Sequence, residues 1–398
     1  MNKPKKILVF LFFLACLNGF ALDYGLVLNQ VPIAHNEEAG EGYIDYTGMI
    51  QPWISSPLGE QADIFLSGGL TAKYEGKWAL LPEVSRFELA YRPLPSLSLE
   101  LGRFAFSDPL GFVFSGLFDG LGAVWDTGGR RIRAGALYTG LLYKKTAYIT
   151  MTGADLLDFY NQDVYFASSR LAFAINWTVP SVFDSANQLD LGLLAQIDLN
   201  NGDVENKLHS QYALAKWSRP LGRGWYMELG GAASLEEQDG DAAFAFAFAL
   251  SFAPFWVPSS RPGDRLFFNF RMASGNWSDG LRAFKPVTIE AQGSILRAKL
   301  SGLSWAQAGY SILLHEKIQG EVSAAWFLRT DHETFVDHNF DLISDSPSLG
   351  GEVYAGAAWV PESWISLNLG GGVFLPQGAY NSDAGLKWRV AAGLLLSF

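Results

Sequence analysis

The sequence predicts an all-β protein: a transmembrane, antiparallel, up-and-down β-barrel of about eighteen strands closed on itself. Three observations predict it. Apolar side chains recur at every second position along most of the chain, as in 189–199, where Leu189, Leu191, Leu193, Ala195, Ile197 and Leu199 alternate with Asp190, Gly192, Leu194, Gln196 and Asp198; a period of two belongs to strands. Aromatic residues reach 14% and glycines number 42, while charged residues are only 17%, as suits a wall with an aromatic girdle at each membrane interface. Short and long connections alternate, which is the asymmetry of a barrel with tight turns at one end and loops at the other.

The chain opens with Lys3, Lys5 and Lys6, an apolar run from Ile7 to Leu17, and small or polar residues up to Ala21. This pattern predicts a secretory signal peptide over 1–21, cut after Ala21, with Gly19 as the other small residue. A second reading takes Phe13-Leu14-Ala15-Cys16 as a relaxed lipobox that leaves Cys16 lipidated. Residues 22–398 then form one barrel domain. Turn signals divide it into strands at 22–31, 43–53, 62–74, 83–92, 96–105, 117–126, 130–142, 163–177, 189–199, 208–218, 224–236, 241–254, 264–275, 303–314, 318–329, 350–360, 363–375 and 385–398. An even count lets both chain ends meet on the periplasmic side. Sixteen is the alternative, because 208–218 alternates poorly and 22–31 also reads as a leader. Segment 241–254 shows the pattern most fully: Phe244, Phe246, Phe248, Leu250 and Phe252 alternate with alanines and a serine, large toward lipid and small toward the lumen.

Short links at 93–95, 127–129, 219–223, 315–317 and 361–362 fall at every second junction, and the stretches 32–42, 106–116, 143–162, 276–302, 330–349 and 376–384 are the outer loops. Within 276–302, Val287 to Ala291 reads either as an extra strand or as a loop folded into the lumen. After the signal peptide no apolar run of about eighteen residues is uninterrupted, so a spanning helix is not predicted.

Cys16 is the only cysteine, so a chain cut after Ala21 is held by sheet and burial without disulfides. Loss of the three leader lysines leaves 26 basic against 40 acidic residues, a net charge near −14. That balance argues against nucleic-acid binding, which needs basic surface.

A barrel of this width encloses water unless something plugs it, and charge facing lipid at the midplane costs about 2–4 kcal/mol per Arg or Lys. The charged members of the alternation therefore face the lumen: Arg86, Glu88, Glu100, Arg131, Arg133, Arg170, Asp190, Asp198, Glu228, Arg271, Glu321, Arg329, Glu352 and Arg389. Opposed groups of this kind can set a field across a constriction and select polar solutes; the plainer reading makes each a solvated or paired wall residue. Arg131, Arg133 and Arg170 are the candidates for a cationic patch. Trp53, Trp177, Trp217, Trp225, Trp359, Trp364 and Trp388 lie near strand ends and read as girdle anchors.

The last segment, with Trp388, Val390, Ala392, Leu394, Leu396 and Phe398 on one face, resembles the closing strand of outer-membrane β-barrels. The resemblance implies an integral outer-membrane location in a Gram-negative-type envelope, with Phe398 as the signal read by the barrel-assembly machinery. The stretch 99–126, with Gly102-Arg103 before a loop and Phe118-Asp119-Gly120 opening the next strand, resembles porin-like barrels that include alginate-export channels. It implies that this loop folds inward and that Arg103 and Asp119 face the pore mouth; the chain's net acidity counts against alginate itself. The aromatic-rich barrel with its lipobox-like leader is also similar to spirochaetal ones.

Catalytic and metal motifs are scarce. His332 and His338 share 331–345 with five carboxylates, but the spacing matches no zinc signature, and the glycines at 116, 120 and 122 precede no Lys-Ser/Thr. His209 with Ser210 is the remaining faint pair. The expectation is a non-enzymatic pore for passive diffusion of small hydrophilic solutes, without cofactor or metal, surrounded by outer-membrane lipid, as a monomer or homotrimer. The alternatives are a surface adhesin or antigen acting through its outer loops, and an importer of hydrophobic substrates plugged by 22–42.

Overall fold

The computed structural model describes residues 22–398 apart from 37–39, 183–184, 201–206, 223–224, 239–240, 255–262, 278–280, 335–339, 342 and 382–384. Residues 1–21, expected to be a signal peptide and containing Cys16, lie outside this set. Eighteen strands follow one another: β1 (Asp23–Asn36), β2 (Gly42–Pro57), β3 (Ala62–Glu75), β4 (Trp78–Leu94), β5 (Leu97–Ser107), β6 (Ser115–Thr127), β7 (Arg130–Tyr138), β8 (Arg170–Pro180), β9 (Gln188–Asp198), β10 (Leu208–Gly222), β11 (Trp225–Gln238), β12 (Asp241–Pro254), β13 (Arg265–Ala273), β14 (Leu303–His315), β15 (Ile318–Arg329), β16 (Ser348–Glu362), β17 (Ile365–Pro376) and β18 (Lys387–Ser397). One short helix, α1 (Gly153–Tyr160), lies between β7 and β8. Each strand pairs antiparallel with its neighbours in the chain. β1 closes the ring on β18 from Val27↔Ser397 to His35↔Arg389. Asp23–Asn36, most of the stretch read as a possible plug, is therefore wall, and the first and last strands meet where the Leu26 N–H donates to the Phe398 carbonyl at 3.0 Å.

The alternation read from the sequence becomes two faces. In β9, Leu193 and Ile197 are 62% and 40% exposed on the outside, whereas Leu194, Gln196 and Asp198 are buried on the inside. In β12, Phe244 is exposed while Ala243, Ala245 and Ala247 are buried. Trp177, Trp359 and Trp388 keep the outward parity expected of girdle anchors. Trp53 does not: it shares its parity with Gln51, which binds Ser67 inside the barrel, and it stacks on Phe65 at 6.0 Å. A tryptophan near a strand end is placed by register, and here register turns it inward.

The interior departs from a water-filled cylinder. Phe112, Val113 and Phe114, from the loop between β5 and β6, and Phe284, Val287 and Leu300, from the loop between β13 and β14, are fully buried against Ala172, Ala174, Ala232, Ala245 and Ala247 of the wall. The small inward residues of β8, β11 and β12 thus serve as a bed for folded-in loops. A second core joins Leu296, Phe327, Phe340, Phe374 and Tyr380 near the outer rim. Val287 to Ala291 is part of such a loop, not a strand, so the strand count stays even; Thr288 donates its N–H to the Val113 carbonyl at 3.1 Å and accepts from the Ser115 N–H at 2.9 Å. The strands expected at 130–142 and 163–177 are shorter than the pattern implied. Residues 139–169 leave the wall as a loop, pinned where the Arg170 N–H donates to Thr139 Oγ1 at 2.9 Å.

Candidate functional site

Most of the predicted wall charges take the inward parity of their strands, but Arg103 and Asp119, expected at the pore mouth, share theirs with the exposed Leu101 and Leu121. Arg103 and Asp119 form a two-pronged pair at 3.0 and 2.9 Å, and Arg103 also donates to the carbonyls of Val84 and Leu141. Arg103 is buried, so its charge is spent on holding neighbouring segments together. Arg133 meets Glu100 at 2.8 Å and covers the Phe106 ring at 5.0 Å. Arg131 lies at a hairpin end, 3.8 Å from Asp126, with both side chains more than half exposed.

Arg170 corrects the expectation of a cationic patch. It is fully buried, with Nη2 on Asp155 of α1 and Nη1 against Asp198 of β9. It latches the 139–169 loop to the wall and offers no charge to solvent. Asp198 shares that role, accepting from the Asn200 and Leu208 N–H groups at 2.9 and 3.1 Å. With Arg131 and Arg133 each beside its own carboxylate, the three arginines do not add up to a patch. Asp190 is buried and accepts from Thr178 and Gln188, and Lys216 lies between it and Glu228 at 3.9 and 4.0 Å. Arg271 pairs with Glu290 at 2.6 Å and lies over Phe112 and Trp305.

Among the open spaces beside the packed loops, two are bordered by charged wall residues. One, of about 830 Å³, is bounded by Arg297, Glu321, Tyr354, Asn368 and Arg389, with Gly356 and Gly370 forming a floor on which the Tyr354 ring rests. Arg389 Nη1 donates to the Ser294 carbonyl at 3.3 Å, and Arg297 lies within electrostatic reach of it. Neither guanidinium forms an ion pair among the described residues. Arg297 has a φ of 55°, a conformation that costs about 1–3 kcal/mol off glycine and clusters at working sites. Sequence reasoning missed Arg297, because a loop has no alternation to place it. The other space, of about 500 Å³, is bounded by Gln51, Glu83, Arg103, Thr146, Thr288 and Glu290.

The outer loops are stapled by carboxylates. Asp108 accepts from the N–H groups of Leu110, Gly111, Val113 and Phe114; burial pushes its pKa above the ordinary value, more than those bonds pull it down. Asp331 accepts from the N–H groups of Asn276, Glu333 and Thr334 and from the Thr334 hydroxyl; burial acts upward on its pKa, but the hydrogen bonds together bring it below the ordinary value. Asp331 is thus a loop staple. His338 and Asp337 of the same stretch lie outside the described residues, and among those described no cluster of three His, Cys, Asp or Glu could hold a metal. His209 Nδ1 accepts the Asp198 N–H at 3.3 Å, which gives it a structural partner.

No family model matches the sequence, and no curated protein does. Solved structures match its shape. OccK11 (OpdR) of Pseudomonas aeruginosa superposes with a TM-score of 0.60 over 95% of this chain and 96% of its own, at 11% identity. The barrel has a porin fold. OpdQ of the same organism gives 0.62 over 95% and 98% at 11% identity, and OccK2 (OpdF) in complex with glucuronate gives 0.60 over 95% and 98%, also at 11%. At such identity the likeness is one of porin architecture.

Proposed function

We propose that this protein is an outer-membrane channel for passive diffusion of small hydrophilic solutes, favouring anionic ones. One observation carries the preference: Arg297 and Arg389 face the same lumen space, neither forms an ion pair among the described residues, and the two together outweigh the single carboxylate, Glu321, that borders it. The porin fold and the similarity to a channel crystallised with glucuronate, itself an anion, support it. The chain's net acidity does not oppose it, because inner acid is paired, as in Arg133–Glu100 and Arg271–Glu290. That acidity does speak against long polyanions such as alginate. Export through residues 1–21, membership of the outer membrane, and assembly signalled by Phe398 belong to the same proposal, and no covalent chemistry is part of it.

A guanidinium about 6 Å from a passing monoanion in a water-like medium contributes about 0.7 kcal/mol. Two contribute about 1.4 kcal/mol, or about tenfold in occupancy. The test is the reversal potential of the reconstituted protein in a salt gradient, for wild type and for Arg297→Ser with Arg389→Ser. The anion-to-cation permeability ratio should fall by about tenfold in the double variant, with conductance retained. An unchanged ratio removes the arginine pair from the mechanism, and absence of conductance removes the channel.

A further inference from the structure

We infer that the barrel has a second, lateral opening between β4 and β5, at the depth of the outer leaflet, which admits single-chain amphiphiles whose head ends in a quaternary ammonium. The ladder between these strands runs only from Leu94↔Leu97 to Phe87↔Arg103. Above it, β4 from Trp78 to Arg86 pairs with β3 alone, and β5 continues to Ser107 paired with β6 alone. The strands part at Gly102, whose φ of 109° is open to glycine and where a Cβ would lie 2.2 Å from the Phe87 carbonyl oxygen. Pro82 sits within the parted length of β4, where a proline is tolerated because no neighbouring strand asks for its N–H.

What spans the gap is the 139–169 loop, held to the β4 edge by side-chain hydrogen bonds rather than by a backbone ladder. Arg103 donates to the Val84 carbonyl, and the Tyr165 hydroxyl donates to the Pro82 carbonyl at 2.6 Å. The upper edge of β12 is also parted from its neighbour, but there the backbone closes it: the Ser274 and Arg282 N–H groups donate to the Phe246 and Phe244 carbonyls at 2.9 and 2.8 Å. The β4 edge has no such ladder among the described residues. Trp78, beside Tyr46 and Tyr74 on the outer face, marks the girdle. Pro82 to Arg86 lie four to eight residues further along the tilted strand, about 10–20 Å below that girdle.

The two sides of the gap differ. Outside, Leu80 and Val84 are 67% and 51% exposed and suit a hydrocarbon chain, and the loop residue Leu141 beside them is 51% exposed. Inside lies the 500 Å³ space, to which both sides of the gap contribute, through Glu83 and Ser85 on one and Arg103, Leu142 and Thr146 on the other. Arg103 is already committed to Asp119, so the remaining charge at the gap is that of Glu83, 23% exposed and held, among the described residues, by the Thr146 hydroxyl and a 4.0 Å contact to Arg103. A cationic head end complements it.

Vesicles containing Val84→Cys with Leu141→Cys, in a chain without other cysteines once the leader is removed, can be stapled across the gap by a reducible bis-methanethiosulfonate. The Val84 and Leu141 carbonyls bind one guanidinium, so the staple need only be short. Transfer of fluorescent lysophosphatidylcholine to the inner leaflet is read by albumin back-extraction, and arabinose-driven swelling of the same vesicles reads the axial pore. Stapling should reduce lysolipid transfer to the rate of protein-free vesicles, reductant should restore it, and swelling should not change. Lysolipid transfer that is absent in wild type, indifferent to the staple, or lost only together with arabinose flux overturns the lateral opening. Equal transfer of an alkyl sulfate of the same chain length overturns the assigned head group. Loss of arabinose flux in wild type, with stapling-sensitive lysolipid transfer intact, instead breaks the hydrophilic-pore reading and leaves this one standing.

Discussion

Arg170→Met should release the 139–169 loop while leaving the barrel closed. The guanidinium lies between Asp155 and Asp198, and all three side chains are essentially inaccessible to solvent, at 0%, 1% and 0%. Asp155 also holds the α1 capping box: the Thr152 N–H donates to its carboxylate at 2.8 Å, and its own N–H donates to Thr152 Oγ1 at 3.3 Å. Removing the cation leaves two buried carboxylates facing each other, and breaking a buried pair in this way costs about 3–5 kcal/mol. Because only the latch is lost, the cost appears as local opening, a shift of about a hundredfold to several thousandfold in its equilibrium. Amide hydrogen exchange reads this directly at Leu156 and Asn161, whose N–H groups donate to Thr152 and Leu157 at 3.1 Å, and at Ala167, bonded to Leu142 at 2.9 Å. Those amides should exchange faster by that factor while β8 and β9 keep their protection. Adding Asp155→Asn should recover part of the loss. Unchanged protection in Arg170→Met, or uniform loss across the barrel, would refute the latch.

Two further outcomes follow from the loop staples. The folded pKa of Asp331 lies below the ordinary 3.8, so the stability it contributes is fully present above that pH and disappears as pH falls through the lowered value; protease cleavage in 330–347 should rise only below about pH 4, and Asp331→Asn should show the rise at neutral pH. Asp108 is shifted the opposite way, so its ionised form carries a cost that grows as pH rises through its folded pKa. Asp108→Asn nevertheless destabilises the β5–β6 loop, by about 1–3 kcal/mol, because an amide accepts at only one of the two oxygens that now receive four N–H groups; a thermal melt in detergent matching wild type would show that the bonds are dispensable.

How much of this was legible in the sequence depends on the length of the pattern that carried it. Period-two alternation repeats in every strand, so β9 and β12 were readable almost to the residue, and closure of β18 on β1 followed from parity. Even β10, whose Gln211 and Lys216 blur the alternation, is held by ladders to β9 and β11. The filling of the lumen was not legible, because alanines on an inner face read the same whether they border water or seat Phe112 and Phe284. Arg170 looked like any other inward charge; its partner Asp155 sits in a loop helix, and no periodicity joins the two. Arg297 was invisible for a related reason, since its position depends on how the 274–302 loop folds back. Arg103 and Asp119 were placed together by resemblance, and their pairing across β5 and β6 also ties the β4 gap.

In a barrel that spans a membrane, β18 has one wet face and one lipid face. Single cysteines introduced from Arg389 to Leu396 test it most directly, each challenged with a charged, water-borne thiol reagent and with a reagent confined to the bilayer core. The register pairs Arg389, Ala391, Gly393 and Leu395 with inward residues of β1 and β17, and Val390, Ala392, Leu394 and Leu396 with outward ones. The first set should react from water and the second only from lipid. Neighbouring positions reacting alike with either reagent would contradict it.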